Sequence, residues 1–229
     1  MQLKDKLHAL LMMPTEPDYS LPAWFQETTY IANSLDGGTI PNLRINLDYY
    51  PTDNTVLYMT MRRLGNSDGF PFYTGKTIDG TNFYYGINLY NEYPYPRFSS
   101  ARGTYSSSFT MDSRPDYDIQ FNDLSDKGAL KGKLADASTW NLVNYTARSN
   151  IPFQLPTPLY LFALAGGSYP SRMRLYSNLK IEENGKLAVW LATGYNKNDT
   201  SEVGVYDRVR RRFILPEGTG TMYKGSDVT

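Results

Sequence analysis

The sequence predicts an all-β protein, a two-sheet antiparallel sandwich preceded by a short N-terminal helix and an extended arm. Three observations lead there. Apolar and polar residues alternate with a period of two over much of the chain after Tyr30, clusters of Gly, Pro, Asn, Asp and Ser separate the alternating runs, and only the N-terminus carries clear helical spacing. Strands without intervening helices favour a sandwich over an α/β fold. At 229 residues, one large β domain is the simplest organisation. The expected division is helix and anchoring arm over 1–29, sandwich over 30–225 and tail over 226–229.

Residues 2–13 place Leu3, Leu7 and Leu10 or Leu11 at helical spacing, and Pro14 and Pro17 end that pattern. A helix of about 12 residues is marginal alone in water, so it is expected to dock on the domain or on another chain. The arm that follows carries two aromatic anchors, Trp24 and Phe25. The anchoring set is thus Leu3, Leu7, Leu11, Trp24 and Phe25.

Four alternating runs then read as half-buried strands. Leu43, Ile45, Leu47 and Tyr49 form one inward set, and Leu57, Met59 and Met61 the next. Phe83, Tyr85, Ile87 and Leu89 form a third, and Tyr117, Ile119 and Phe121 a fourth. Residues 123–139 show no period and read as a long loop with one helical turn. The continuous apolar run Leu159 to Leu164 reads as a central strand covered on both sides. Near the C-terminus, Asn184-Gly185 sits between two apolar-periodic runs and predicts a tight hairpin, because both residues tolerate the positive φ angles such a turn needs.

Composition removes several classes of function. The formal net charge is zero, with both signs spread along the chain, so no footprint for nucleic acid or an anionic membrane appears. No apolar run reaches the roughly 18 residues of a membrane-spanning helix, and Leu7 to Met13 does not read as a signal peptide. There is no cysteine, which excludes disulfides and a thiol nucleophile. The only histidine, His8, lies in the N-terminal segment, so a Ser-His-Asp triad or a zinc site is not expected.

Candidate chemistry is sparse. Asp116, Asp118 and Asp123 are the nearest approach to a carboxylate cluster, but the first two fall on the solvent side of the strand that buries Ile119 and Phe121. Asn66, Asp68 and Gly69 are spaced as a calcium loop could be, but an ordinary turn is the better reading, and no cofactor is expected. Arg208, Arg210, Arg211 and Arg212 read as a solvated hairpin tip. The candidate contact residues are Tyr84, Tyr90, Tyr93 and Tyr95, the first two facing outward and the last two on a proline-rich loop. Tyrosine joins a flat apolar ring to a hydroxyl, which suits subunit contacts and sugar stacking alike.

The C-terminal third resembles the concanavalin A-like, LamG-type jelly-roll domains of bacteriophage structural proteins and bacterial surface proteins. The residues that carry this are Pro158 to Ala163, Met173 to Ser177, Lys180-Ile181, Asn184 to Leu187, Val203 to Val209, Phe213 and Gly218 to Thr221. The resemblance is good over 155–225 and weaker over 30–150. It implies a non-enzymatic virion structural protein, a tail, baseplate or capsid-associated subunit that assembles in the host cytoplasm with other virion proteins and with copies of itself. The alternative it leaves open is a carbohydrate-binding module for a host surface glycan, and the third is a glycoside hydrolase. The glucanases of related folds carry an E-x-D-x-x-E arrangement that this chain lacks.

Overall fold

The computed structural model describes residues 17–35, 42–65, 68–91, 93–102, 109–112, 115–143 and 152–229. The helix expected over 2–13, with Leu3, Leu7, His8 and Leu11, lies outside them, as does Asn66. In chain order the strands are β1 (Phe25–Glu27), β2 (Tyr30–Ala32), β3 (Asn42–Asn46), β4 (Thr55–Arg63), β5 (Gly69–Ile78), β6 (Thr81–Tyr90) and β7 (Tyr93–Ser99). These are followed by β8 (Ala101–Arg102), β9 (Tyr117–Phe121), β10 (Leu130–Leu134), β11 (Asn141–Val143), β12 (Tyr160–Leu161) and β13 (Met173–Tyr176). The last six are β14 (Lys180–Glu183), β15 (Lys186–Asn196), β16 (Asp199–Asp207), β17 (Arg212–Ile214), β18 (Glu217–Thr219) and β19 (Tyr223–Lys224).

The strands form the two-sheet jelly-roll sandwich that the alternation predicts. The larger sheet runs β11-β10-β9-β4-β14-β15-β16-β17, with β1, β2, β13 and β19 attached, and the smaller runs β18-β3-β12-β5-β6-β7-β8. The chain passes from one sheet to the other repeatedly, so the inner faces are closed on each other early and late in the sequence. The pairings between these strands are antiparallel.

The period of two decides which side chains meet in the middle. All four inward sets lie in the core, apart from Tyr49, which is half-buried. Phe121 on β9 is the main cross-sheet contact: its ring centroid lies 4.9 Å from Tyr85, 5.5 Å from Phe72 and 6.2 Å from Phe98. The buried Tyr85 hydroxyl donates to the Thr55 carbonyl at 3.2 Å, so its polar end is not stranded. The Asn184-Gly185 turn has φ angles of 52° and 73°, as a two-residue hairpin of this hand requires.

Four segments differ from the sequence reading. Residues 123–139 are not a loop with a helical turn, because Leu130–Leu134 is β10, paired on both sides with β9 and β11. Gly132 hides that strand: a Cβ there would stand 2.2 Å from the Phe109 ring, so an aromatic from elsewhere occupies the place of its side chain. Tyr93 and Tyr95 lie on β7 and not on a loop, alternating with the buried Pro94 and Pro96. Of the run Leu159 to Leu164, only Tyr160–Leu161 is strand; it is central, between β3 and β5, but Phe162 has φ 73° and turns the chain away.

The fourth difference concerns the arm. It is extended as expected, but Phe25–Glu27 pair with Asn196–Gly194 of β15, so this stretch belongs to the larger sheet. The C-terminal tail closes over it: Thr28 bridges Asp227, and the Val228 amide donates to the Glu27 carbonyl at 2.9 Å.

Candidate binding face

Opposed residues in an antiparallel pair point to the same side, so the register assigns the tyrosines directly. Tyr90 faces Tyr93 and Asn88 faces Tyr95 across β6 and β7, while Tyr84 faces Gly75 and Tyr73 faces Gly86 across β5 and β6. All of these lie on the outer face of the smaller sheet, opposite to the buried Phe83, Tyr85, Ile87 and Leu89. Tyr90 is half exposed, and its ring meets Tyr95 edge-on at 6.3 Å. Tyr84 is six residues along β6 from Tyr90, about 20 Å at the rise of an extended strand, and belongs to a second group.

That second group is larger than the sequence suggested. Tyr84 and Tyr73 lie 6.1 Å apart, Tyr73 meets Phe70 at 4.6 Å, and Phe70 meets Tyr169 at 6.2 Å. Tyr169 is 69% exposed. Gly75 and Gly86 make room for the rings, since a Cβ on Gly75 would stand 3.0 Å from Tyr84 and one on Gly86 3.1 Å from Tyr73. Beside Tyr73, a groove of about 260 Å³ opens against Thr74, Thr157, Leu164 and Ser168. Tyr73, Phe70 and Tyr169 were missed because they join the face only through cross-strand register and a turn distant in sequence.

The edge of this sheet does not invite strand addition. Alternate residues of a strand turn their amides to opposite neighbours, and Pro94 and Pro96 alternate with the tyrosines on β7. Among the described residues β8 pairs with Arg97 and Phe98, and none pairs with Pro94 or Pro96 on that side. Proline there removes the donors that an added strand would need.

The two described anchoring residues bind within the chain. Phe25 is 3% exposed and forms a small cluster with Ala192 and Tyr206 on the outer side of the larger sheet. Trp24, 36% exposed, meets Phe25, Tyr206 and Phe213 edge-on at 5.8 to 6.1 Å. The arginine cluster stands at the β16–β17 hairpin, but it is not simply solvated. Arg208 pairs with Glu27 at 3.0 Å, Arg211 with Asp18 at 3.0 Å, and Arg212 with Asp48 at 3.0 Å, while Arg210 pairs with the buried Asp207. The hairpin therefore ties the arm and the β3–β4 connection to the larger sheet.

The three aspartates are each engaged by a cation. Asp116 accepts from Arg62 Nε and from the Tyr176 hydroxyl, both at 2.6 Å. Burial works to raise its pKa, but those two hydrogen bonds outweigh it and hold the carboxyl below its ordinary range. The same contact, added to burial, pushes Tyr176 up to about 12. Asp118 pairs with Lys133 at 2.9 Å and Asp123 with Lys131 at 2.7 Å. Hydrogen bonds from Lys131 and Ser125 bring Asp123 down to about 2. Asp68 of the possible calcium loop accepts the Asn91 amide at 2.8 Å, and among the described residues no three His, Asp or Glu gather as a metal centre would need.

No family model matches the chain, and no curated protein matches it. Among solved structures it is similar to the LG1-3 region of the laminin alpha2 chain, with 13% identity and a TM-score of 0.49 over 89% of this chain. It spans 31% of that chain.

Proposed function

We propose that this chain is a non-enzymatic binding module of a bacteriophage virion, a tail, baseplate or capsid-associated subunit that contacts its neighbours through the outer tyrosine face of the smaller sheet. One observation carries the reading: Tyr90 is held half exposed against Tyr95 on a face whose β7 strand carries Pro94 and Pro96, which have no amide to donate to an added strand. Such a surface offers apolar area without offering a strand edge, which suits side-chain docking against another subunit. The LamG-type resemblance of residues 155–225 supports the virion setting, and the pairing of Asp116, Asp118 and Asp123 with cations supports a role other than acid-base catalysis.

Light scattering after size exclusion tests it on three proteins: the full chain, a chain beginning at residue 17, and the full chain with Tyr90→Ser and Tyr95→Ser. An oligomer that the double substitution dissociates is expected. A full chain that stays monomeric and associates with no particle component counts against the proposal. The second reading is a host-glycan module, favoured by the groove beside Tyr73 with its threonine and serine hydroxyls. A glycan array whose hits vanish on changing Tyr73 and Tyr84 to Ala would move it to first place.

A further inference from the structure

The outer face of the larger sheet carries a second constellation, unrelated to the tyrosines. Thr60 faces Asp118 across β4 and β9, and Asp118 faces Lys133 across β9 and β10. The Thr60 hydroxyl donates to Asp118 Oδ1 at 2.5 Å and accepts from Asn178 Nδ2, while the Thr60 amide donates to Asn178 Oδ1 at 2.9 Å. Lys133 closes the line, 2.9 Å from Asp118 Oδ2, and also donates to the Ala137 carbonyl at 2.8 Å. Its ammonium lies 5.4 Å from the centroid of the Trp140 ring, which is 40% exposed. Thr60, Asp118, Asn178 and Trp140, with Tyr58 and Ile119, line a hollow of about 160 Å³, and Lys133 stands behind Asp118 outside that lining.

We propose that this hollow is a binding site for one neutral pyranose ring, stacked on Trp140 and hydrogen-bonded by Asp118 and Asn178. The indole offers an apolar plate of the kind that the C–H face of a sugar covers. Asp118 has used about half of the lone pairs of its carboxylate, and Asn178 keeps one Nδ2 hydrogen and one Oδ1 lone pair. An acceptor beside a group that both donates and accepts matches hydroxyls on neighbouring ring carbons, each of which does both. Thr60 and Lys133 hold the two side chains in place beforehand, so little ordering is left for the ligand to impose. Because Lys133 balances Asp118, the site favours a neutral sugar over an acidic or cationic one. The hollow has room for about five waters, below the size of a drug-sized pocket and in keeping with a single ring.

This site and the tyrosine face lie on different sheets, so the proposal stands or falls separately from either reading of that face. The test is titration of the full-length protein with the methyl glycosides of glucose, galactose, mannose and N-acetylglucosamine, to about 50 mM each, followed by tryptophan fluorescence and calorimetry. At least one is expected to bind with a dissociation constant on the order of 1 mM, as a small, half-open site implies. Trp140→Ala and Asp118→Asn should each weaken it about tenfold or more, while Trp140→Phe, which keeps an aromatic plate, should retain most of it. Thermal melts separate lost binding from lost fold. If Trp140→Ala melts early, Asp118→Asn decides. Absence of binding by all four glycosides overturns the proposal, as does binding that survives both substitutions or that is lost only on changing Tyr90 and Tyr93 to Ala.

Discussion

The ring of Phe25 lies directly over Gly194. A Cβ on Gly194 would stand 2.6 Å from Phe25 Cζ and 2.0 Å from the Gln26 carbonyl oxygen, so the arm is seated on bare backbone. Gly194→Ala is therefore expected to lift β1 from β15 at a cost of about 2 to 3 kcal/mol, and Phe25→Ala to cost about 3 kcal/mol. Urea unfolding of both variants checks this. A change below about 0.5 kcal/mol in either would mean that the arm adds nothing to the sandwich.

Gly185 presents the opposite case. Nothing lies within 4 Å of where its Cβ would be, so its requirement is purely conformational, φ 73° in the β14–β15 turn. Gly185→Ala should cost about 1 kcal/mol, and Gly185→Asn much less, because Asn tolerates that conformation. Equal losses for the two, by chemical denaturation, would contradict the turn assignment.

Glu183, just before that turn, accepts hydroxyls from Tyr49 at 2.7 Å, Thr52 at 2.5 Å and Thr55 at 2.6 Å. Burial and this carboxylate together raise the pKa of Tyr49. Glu183→Ala removes a shared acceptor from three donors, and a loss of about 2 kcal/mol is expected. Thr52→Ala in the Glu183→Ala background should then cost much less than in the parent, a coupling that a double-mutant cycle measures.

Acid should destabilise the protein through Asp123. Its carboxyl titrates at about 2 in the fold against an ordinary 3.8, so its contribution is complete above pH 3.8 and is lost as pH falls towards 2. Asp116, also lowered, acts in the same direction. Melting temperature should fall over that interval, and Asp123→Asn should flatten part of the fall. Because Asp123 and Lys131 are both partly exposed, the effect should shrink with added salt.

Much of the sandwich was legible because strand parity is a local property. Leu57, Met59 and Met61, or Phe83, Tyr85 and Ile87, need only a buried face to reveal themselves, and Asn184-Gly185 needs only its own φ angles. What escaped depends on partners distant in the chain. β10 was invisible because Phe109 fills the place over Gly132, and β7 because prolines at a sheet edge look like prolines in a loop. The arginines of the β16–β17 hairpin looked solvated because Asp18, Glu27 and Asp48, which engage three of them, come from far earlier in the sequence. Trp140 gave no signal at all, since its meaning depends on Asp118 and Asn178 arriving beside it.

The clasp between the arm and the tail has a mechanical consequence. Thr28 bridges Asp227, and Gln26 Nε2 reaches the Val228 carbonyl at 3.1 Å, so residues 26 and 228 lie side by side on antiparallel segments. A load applied through both would open that seam one hydrogen bond at a time, as a zip opens, and would not shear several bonds together. Under tension the seam should therefore yield at low force and before the sandwich, lengthening the molecule while Phe121 and its neighbours stay closed.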